Sequence, residues 1–306
     1  MSKKHKSTYN VDKLKICYRV TGDTFCYIAK SCNLNADNDA INITIDRGDY
    51  NLNLIDHSSN ENEVTAITAS VTFEMDGERH KLGVFDIKKE AKYCFFSFEN
   101  RILYTPFIYV NGNKYNCANF ISYIADDLKL EFNNITYVEV AMDTTRNYVN
   151  KTRKYIRDFE RYDLFINGNL IKDETATIPN YLKAYSSSRK KMSRQPTLYF
   201  RHREQDGLQL KIYNKRKEMT ESEPSKLKYI PQWLSFGENA PIYRAEITVR
   251  NRDIREYMAL IGIAGEEAMS IITSPNMLAN LWQYEADRLI YFRDRATGDI
   301  IRLADL

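Results

Sequence analysis

The sequence predicts an α+β protein in which a body of antiparallel sheet is followed by a C-terminal helical segment. Short segments rich in β-branched and aromatic residues recur through the first 250 residues, and clusters of Asp, Asn and Ser separate them. After residue 251 the apolar residues take up helical spacing. The length of 306 residues leaves room for about two domains at roughly 150 residues each.

The first 130 residues read as strands, one turn and one helix. The strand-like segments are residues 14–20, 40–45, 66–73 and 92–98. Asn111-Gly112 predicts a turn. Residues 119–130 predict a helix, because Phe120, Ile121 and Ile124 recur at helical spacing.

The middle of the chain alternates between strands and a charged helix. Residues 135–143 predict a strand and residues 146–161 a strongly charged helix. Two strands, residues 198–203 and 208–214, flank Gln205-Asp206-Gly207, which is typical of a hairpin turn. Residues 242–250 predict a further strand.

Three helices are predicted after residue 251. They cover residues 254–263, 266–272 and 275–292, and Ser274 followed by Pro275 is a typical helix start. The predicted organisation is therefore a β-rich region over 1–110, an α+β region over 111–251 and a helical region over 252–306.

Composition excludes several classes of protein. The chain is 43% apolar and 28% charged, which is enough to bury a core, and its 11 Gly and 7 Pro argue against a linker-rich or disordered chain. No apolar stretch approaches the ~18 residues of a membrane span, and the basic start lacks the apolar core of a secretory signal. We therefore expect a soluble cytoplasmic protein with no membrane partner.

The cysteines and histidines do not suggest a soft-metal site. The five cysteines form no Cys-x-x-Cys pair and the four histidines no His-x-His pair, so we expect reduced thiols and no zinc site. Phosphate-binding glycine loops and the Gly-x-Ser-x-Gly elbow are also missing from the sequence.

Positive charge is concentrated in residues 183–217, where eleven Lys and Arg oppose two acidic residues. Aromatic residues such as Tyr199 and Tyr213 are interleaved with them. Cations pair with phosphates and rings stack on bases, so this block predicts a surface for single-stranded nucleic acid; a merely basic sheet face is the alternative. Its candidate DNA-binding residues include Arg189, Lys190 and Lys191.

Carboxylates on two predicted strands could hold a divalent metal. Alternation places Glu139 and Asp143 on one strand face with the small Ala141 between them, and places Glu246 beside Arg244 on another strand. Because the two carboxylates of the first strand are roughly 13 Å apart at Cα, one of them joining a neighbouring strand is the favoured arrangement. Carboxylate oxygens suit Mg²⁺ or Mn²⁺; an ordinary solvent-facing sheet surface is the alternative.

Tyr213 stands on the polar face of its strand between Lys211 and Lys215. Neighbouring cations favour the phenolate form of a tyrosine, and a phenolate can attack a phosphodiester and retain the product covalently. The chain has 22 tyrosines, so packing or base stacking is the alternative role for any one of them.

The order of these motifs resembles the Rep_trans family, the rolling-circle replication initiators of staphylococcal-type plasmids and related relaxases. The matching elements lie between about residues 135 and 250: Glu-x-Ala-x-Asp, Leu-Tyr-Phe-Arg, Lys-Ile-Tyr-Asn-Lys and Tyr-Arg-x-Glu. The resemblance implies a nicking-endonuclease-like catalytic body over residues 111–251 that cleaves one strand of origin DNA through a 5′-phosphotyrosine link.

The resemblance also implies roles for individual residues. Tyr213 would be the nucleophile, with Lys211 and Lys215 assisting it. The implied ligands of Mg²⁺ or Mn²⁺ are Glu139, Asp143 and Glu246. The implied DNA contacts are Arg201, Arg203 and Arg244.

Several alternatives stay open from the sequence. A conjugative relaxase would use the same chemistry, and a non-catalytic DNA-binding regulator would use the scaffold without it. The C-terminal helices could recognise double-stranded origin DNA, join a second subunit, recruit a host helicase or serve as a packing layer.

Overall fold

The computed structural model describes residues 7–20, 24, 28, 43–56, 65–88, 91–171, 188–201, 207–222, 224–229, 235–237 and 239–306. Within them the protein is a mixed α+β structure with mostly antiparallel sheet. The described cysteines, Cys17, Cys94 and Cys117, are free thiols. In this part of the chain no helix combines the length and apolar character needed to cross a bilayer.

The chain forms two compact units. Unit 1 comprises Met1–Val11, Glu139–Gly262 and Ser270–Leu306, and unit 2 comprises Asp12–Val138 and Ile263–Met269. These divisions fall at different places from the three regions predicted from sequence.

Unit 1 contains two sheets. In the first, the strand order is β12 (Leu198–Arg201), β13 (Gln209–Asn214), β14 (Tyr243–Arg250) and β9 (Glu131–Thr144), the last of which enters unit 1 at Glu139. In the second, the order is β11 (Asn169–Ile171), β10 (Tyr162–Ile166), β15 (Ile290–Asp294) and β16 (Ile300–Arg302). The first sheet forms because its strands alternate, which buries one apolar face, including Leu210, Ile212 and Ile247.

Most helices of unit 1 begin after a residue whose side chain accepts a backbone N–H group of the first turn. They are α3 (Tyr148–Arg157), α4 (Arg189–Met192), α5 (Lys215–Glu221), α6 (Asn251–Ile261), α7 (Met269–Thr273, which starts in unit 2) and α8 (Pro275–Leu289). The side chains of Asn147, Asn214 and Ser274 each accept a backbone N–H at the start of α3, α5 and α8. Short 3₁₀ turns lie at Pro224–Lys228 and Leu303–Asp305.

Unit 2 is a β-rich sheet with a covering helix. Its strand order is β1 (Ser7–Arg19, in unit 2 from Asp12), β6 (Tyr93–Phe98), β5 (Glu78–Lys88), β4 (Ala66–Met75), β3 (Asn51–Asp56) and β2 (Ile43–Asp46). The remaining elements are α1 (Asn100–Leu103), the hairpin β7 (Ile108–Val110) and β8 (Asn113–Tyr115), α2 (Cys117–Asp127) and a 3₁₀ turn at Gly265–Glu267. Phe120 of α2 packs edge-on against Phe73 of β4, with ring centroids 5.4 Å apart.

Most predicted elements are confirmed with shifted ends. The predicted turn at Asn111-Gly112 joins β7 to β8, and both residues have the positive φ, 47° and 81°, that this tight turn requires. The charged helix is shorter than predicted, because the chain turns after Arg157 and enters β10. Part of the predicted hairpin turn, Gln205-Asp206, lies outside the described residues.

The prediction of a wholly helical C-terminus is wrong. Helix α8 ends at Leu289, and the next residues form β15, which pairs with β10 from Ile290↔Ile166 to Asp294↔Tyr162. Residues 290–294 alternate between buried and partly exposed positions, so the strand buries its apolar side chains better than a continued helix would.

Candidate functional site

The candidate site lies on the polar face of β13 and β14. The two strands pair antiparallel, with Lys211 opposite Glu246 and Tyr213 opposite Arg244. Residues directly opposite each other in an antiparallel pair point to the same side of the sheet. The register therefore brings these four side chains, predicted on separate strands, onto one face.

The opposite face of the same strands is packed and holds the site in place. Ala245, Ile247 and Ile212 are fully buried there. The indole Nε1 of Trp282, in α8, donates to the carbonyl oxygen of Ala245 at 3.0 Å. The backbone beneath Arg244 and Glu246 is thus fixed both by apolar packing and by a direct helix contact.

Glu246 links the tyrosine to a lysine. The hydroxyl of Tyr213 donates to Oε2 of Glu246 at 3.0 Å, and Nζ of Lys211 lies 3.2 Å from Oε1 of the same carboxylate. Glu246 is 5% exposed, whereas Tyr213 is only half-buried, so a partly accessible tyrosine directs its hydroxyl proton at a buried carboxylate. This arrangement gives the phenol a proton acceptor within hydrogen-bond distance.

Lys215 lies beneath the tyrosine rather than in solvent. It is the first residue of α5 and is 1% exposed, and its Nζ is 5.6 Å from the centroid of the Tyr213 ring. It also forms an ion pair of 2.6 Å with Glu218. A buried ammonium at this distance adds a cation–π contact to the ring and positive charge near the phenol.

Glu139 is the second carboxylate of the candidate metal site. It is 7% exposed, and its Oε1 accepts a hydrogen bond of 3.3 Å from the hydroxyl of Thr248 on β14. A carboxylate oxygen of Glu139 lies within 4.8 Å of one from Glu246. Two buried carboxylates this close repel each other, and the oxygen donors they offer are those that Mg²⁺ and Mn²⁺ prefer.

Asp143 does not join these two carboxylates. It is fully buried and receives two hydrogen bonds from Arg244, at 2.7 Å from Nε to Oδ1 and 2.8 Å from Nη2 to Oδ2. Both oxygens are therefore engaged by one guanidinium, and this correction leaves Glu139 and Glu246 as the predicted metal ligands that the structure brings together. The sequence favoured an arrangement in which one carboxylate of the first strand meets a carboxylate of a neighbouring strand. Glu139 and Glu246 have this geometry.

Two predicted DNA-binding arginines are buried. Arg244 is fully enclosed and engaged by Asp143. Arg189 is 1% exposed, and its guanidinium donates to the carbonyls of Tyr155 and Tyr162 at 2.9 and 2.8 Å, as well as to that of Ile156. In the structure neither guanidinium is available to a DNA phosphate, so both residues have structural roles.

The other predicted DNA-binding residues are placed differently. Lys190 and Lys191 are exposed on α4. Arg201 is half-buried, and its Nε donates to Oε1 of Gln209 at 3.1 Å. Arg203 lies outside the described residues.

Tyr199 joins the site although sequence alone gave it no individual role there. Strands β12 and β13 pair with Tyr199 opposite Lys211, so this half-buried tyrosine lies on the same sheet face as Tyr213. The alternation of Leu198-Tyr199-Phe200-Arg201 separates the two faces, but only the register between the strands reveals which lysine the ring meets.

Comparison of the chain with sequence models of known protein families finds no match, and a search of curated proteins finds no significant match. The resemblance to the Rep_trans initiators therefore rests on the quoted motifs alone.

Proposed function

We propose that the protein is a rolling-circle replication initiator that nicks and rejoins one DNA strand through a covalent link to Tyr213. The observation that carries the proposal is the hydrogen bond of 3.0 Å from the Tyr213 hydroxyl to Glu246, whose other oxygen faces Lys211 at 3.2 Å. A tyrosine with a buried proton acceptor and two adjacent cations has the groups that a phenol needs to act as a nucleophile.

The chemical step is a transesterification. The Tyr213 oxygen attacks the scissile phosphorus and its proton passes to Glu246. The bond between phosphorus and the 3′ oxygen breaks, so the 5′ phosphate stays on the tyrosine and the 3′ oxygen leaves and acquires a proton. Attack of a 3′-OH on the phosphotyrosine reverses the step and rejoins the strand. Lys211 is placed to stabilise negative charge on the phosphate during both steps.

The carboxylates fit the divalent metal that this chemistry uses. Glu139 and Glu246 are buried oxygen donors on two neighbouring strands, and they would hold Mg²⁺ or Mn²⁺. When bound there, such an ion supplies a Lewis acid for a phosphate oxygen.

The face of β12 and β13 gives the single strand a path to the tyrosine. Tyr199 and Arg201 of β12 lie on the same side as Lys211 and Tyr213. A ring and a guanidinium next to the nucleophile suit one stacked base and one phosphate of a single strand.

The decisive experiment is adduct formation on a labelled library of single-stranded origin sequences, with Mn²⁺ or with EDTA. We expect a denaturation-resistant protein–DNA adduct that requires the metal and is abolished by Tyr213→Phe, because only the attacking hydroxyl is removed. The matched control is Tyr291→Phe, which changes a half-buried tyrosine in β15 of the same unit. This control should form the adduct normally.

Three other outcomes change the assignment. An adduct that survives Tyr213→Phe but disappears in Tyr199→Phe would move the nucleophile to β12. Tight DNA binding with no adduct under any metal would favour the non-catalytic regulator. Cleavage of conjugative transfer origins in preference to replication origins would favour the relaxase.

The metal site has a separate test. Glu139→Gln and Glu246→Gln should each weaken Mn²⁺ binding by about tenfold or more, because each removes a charged oxygen ligand. Glu218→Gln, which alters the partner of Lys215, serves as the control and should leave Mn²⁺ affinity unchanged. Equal Mn²⁺ affinity in all four proteins would refute the proposed ligands.

A further inference from the structure

A second basic surface lies in unit 1, on elements that do not carry the candidate site. The first part is helix α3, whose residues Arg153, Lys154 and Arg157 line an open surface concavity of about 530 Å³ together with Asn150 and Asp158. Lys154 and Arg157 are exposed and Arg153 is half-buried.

Helix α4 and the residues after it extend this surface. Nε of Arg157 donates to the hydroxyl of Ser193 at 3.4 Å, and Arg153 donates to the carbonyl of Gln195. These contacts place α4 and the residues after it beside α3, and the side chains of Lys190, Lys191 and Arg194 are exposed there. We call the set Arg153, Lys154, Arg157, Lys190, Lys191 and Arg194 the α3–α4 basic surface.

The cations of this surface outnumber the acidic groups next to them. Asp158 and Glu160 are the acidic residues of the adjoining turn, and Asp158 accepts the backbone N–H of Arg161. Residues 188–201 contain five Lys and Arg and no acidic residue. Burial, with the charge of Arg157 next to it, holds the pKa of Arg153 below its usual range. Repulsion among clustered cations is relieved when an anion binds.

The aromatic residues of α3 are turned away from this surface. Tyr148 is 3% exposed. Tyr155 packs against Tyr162 and Phe292, with ring centroids 4.6 and 5.2 Å away. Neither ring is free to stack on an unpaired base, in contrast to the tyrosine-bearing face of β12 and β13. Lysines and arginines without stacking rings are typical of contacts to the phosphates of a duplex.

We infer that the α3–α4 basic surface binds the phosphate backbone of double-stranded DNA, separately from the sheet face that takes the single strand. The inference extends the proposed function, from which it takes DNA as the ligand. Such a surface would hold the duplex next to the strand being cleaved and would contribute affinity without reading bases.

The test measures the affinity of the full chain for a random-sequence duplex of about 25 base pairs in EDTA, as a function of salt. The variant Lys154→Gln/Lys191→Gln removes two exposed charges that form no side-chain hydrogen bond or ion pair among the residues that the structure describes. The matched control Lys228→Gln/Arg255→Gln removes two exposed charges elsewhere in unit 1. Thermal melting checks that all three proteins fold.

We expect the first variant to flatten the slope of log K against log salt by about 1.8, since each phosphate contact contributes about 0.9. At about 0.1 M salt this corresponds to an affinity loss of up to roughly 60-fold. The control variant should keep the wild-type slope. Equal losses in both variants, or none in the first, would overturn the inference.

Two further arms identify the ligand. A larger loss for a single strand than for the duplex would assign the surface to single-stranded DNA, and tighter binding of duplex RNA would assign it to RNA; either result overturns the inference. Because EDTA removes the metal and the readout is equilibrium affinity, the result is independent of nicking. Failure of the adduct experiment and failure of this one are therefore distinguishable.

Discussion

Replacing Asp143 by Asn should test whether this residue is structural or a metal ligand. Asp143 and Arg244 form a fully buried ion pair with two hydrogen bonds, at 2.7 and 2.8 Å. Asparagine keeps the shape of the side chain but leaves the guanidinium charge without its counter-charge. Removing one partner of a buried pair costs about 3–5 kcal/mol.

Urea unfolding measures this loss. At a slope of about 3 kcal/mol per M, a loss of about 4 kcal/mol lowers the midpoint by roughly 1.3 M. The matched control is Asp163→Asn, which makes the same change in an aspartate whose partners, Arg293 and Arg295, have side chains 43% and 42% exposed. Asp163 is itself 7% exposed, but solvent reaches both arginines and screens the charge that the substitution leaves, so the control should lose less stability than Asp143→Asn.

The double variant Asp143→Asn/Arg244→Gln separates the two roles. It removes both charges, so it should recover much of the stability that the single variant loses. A single variant that loses less than about 1 kcal/mol while Mn²⁺ affinity collapses would refute the structural role and restore Asp143 as a ligand. Equal instability of the single and double variants would show that the ion pair is not the cause.

Three further predictions concern stability. Burial raises the pKa of Glu285 to about 7, so the protonated carboxyl favours folding at low pH and this stabilisation is lost as pH rises through 7. The unfolding free energy of Glu285→Gln should therefore rise by about 2–3 kcal/mol relative to wild type between pH 5 and pH 8, as measured by urea unfolding. A pH-independent difference would contradict this. Gly83→Ala would place a Cβ in steric conflict with the backbone oxygen of Ser97 and the ring of Phe96, so we expect a loss of about 3 kcal/mol or failure to fold. A wild-type melting temperature would refute the close contact. Ser274→Ala removes the N-cap of α8 and should lower the free energy of unfolding by about 1 kcal/mol in urea. Ser274→Asp keeps a capping oxygen and should restore that stability. Equal stability of the two variants would count against the cap.

Local pattern was sufficient to predict which side chains share a face. Strands have a period of two, so alternation alone places Lys211 with Tyr213, Arg244 with Glu246, and Glu139 on the side of its strand away from the core. Helix caps and turns could also be predicted from sequence, because Ser274 and Asn111-Gly112 act on residues next to them in the chain.

Local sequence pattern gave a wrong prediction where the same residues are compatible with two different structures or roles. Residues 290–292 continue the helical spacing of α8, yet they form a strand because β10 offers them a ladder of hydrogen bonds. Likewise the charge of Arg189 predicted a phosphate contact, whereas its position after folding surrounds the guanidinium with backbone carbonyls. In both cases the deciding partner lies far away in sequence.

The sequence by itself therefore determined the α+β class, the polar faces of the strands and the residue types available for chemistry. Only the tertiary structure decided which of those residues meet: Tyr213 with Glu246, Glu139 near Glu246, and Asp143 with Arg244. The reason is that strand order and register depend on pairing between distant segments, and a shift of one residue would turn every one of these side chains to the opposite face.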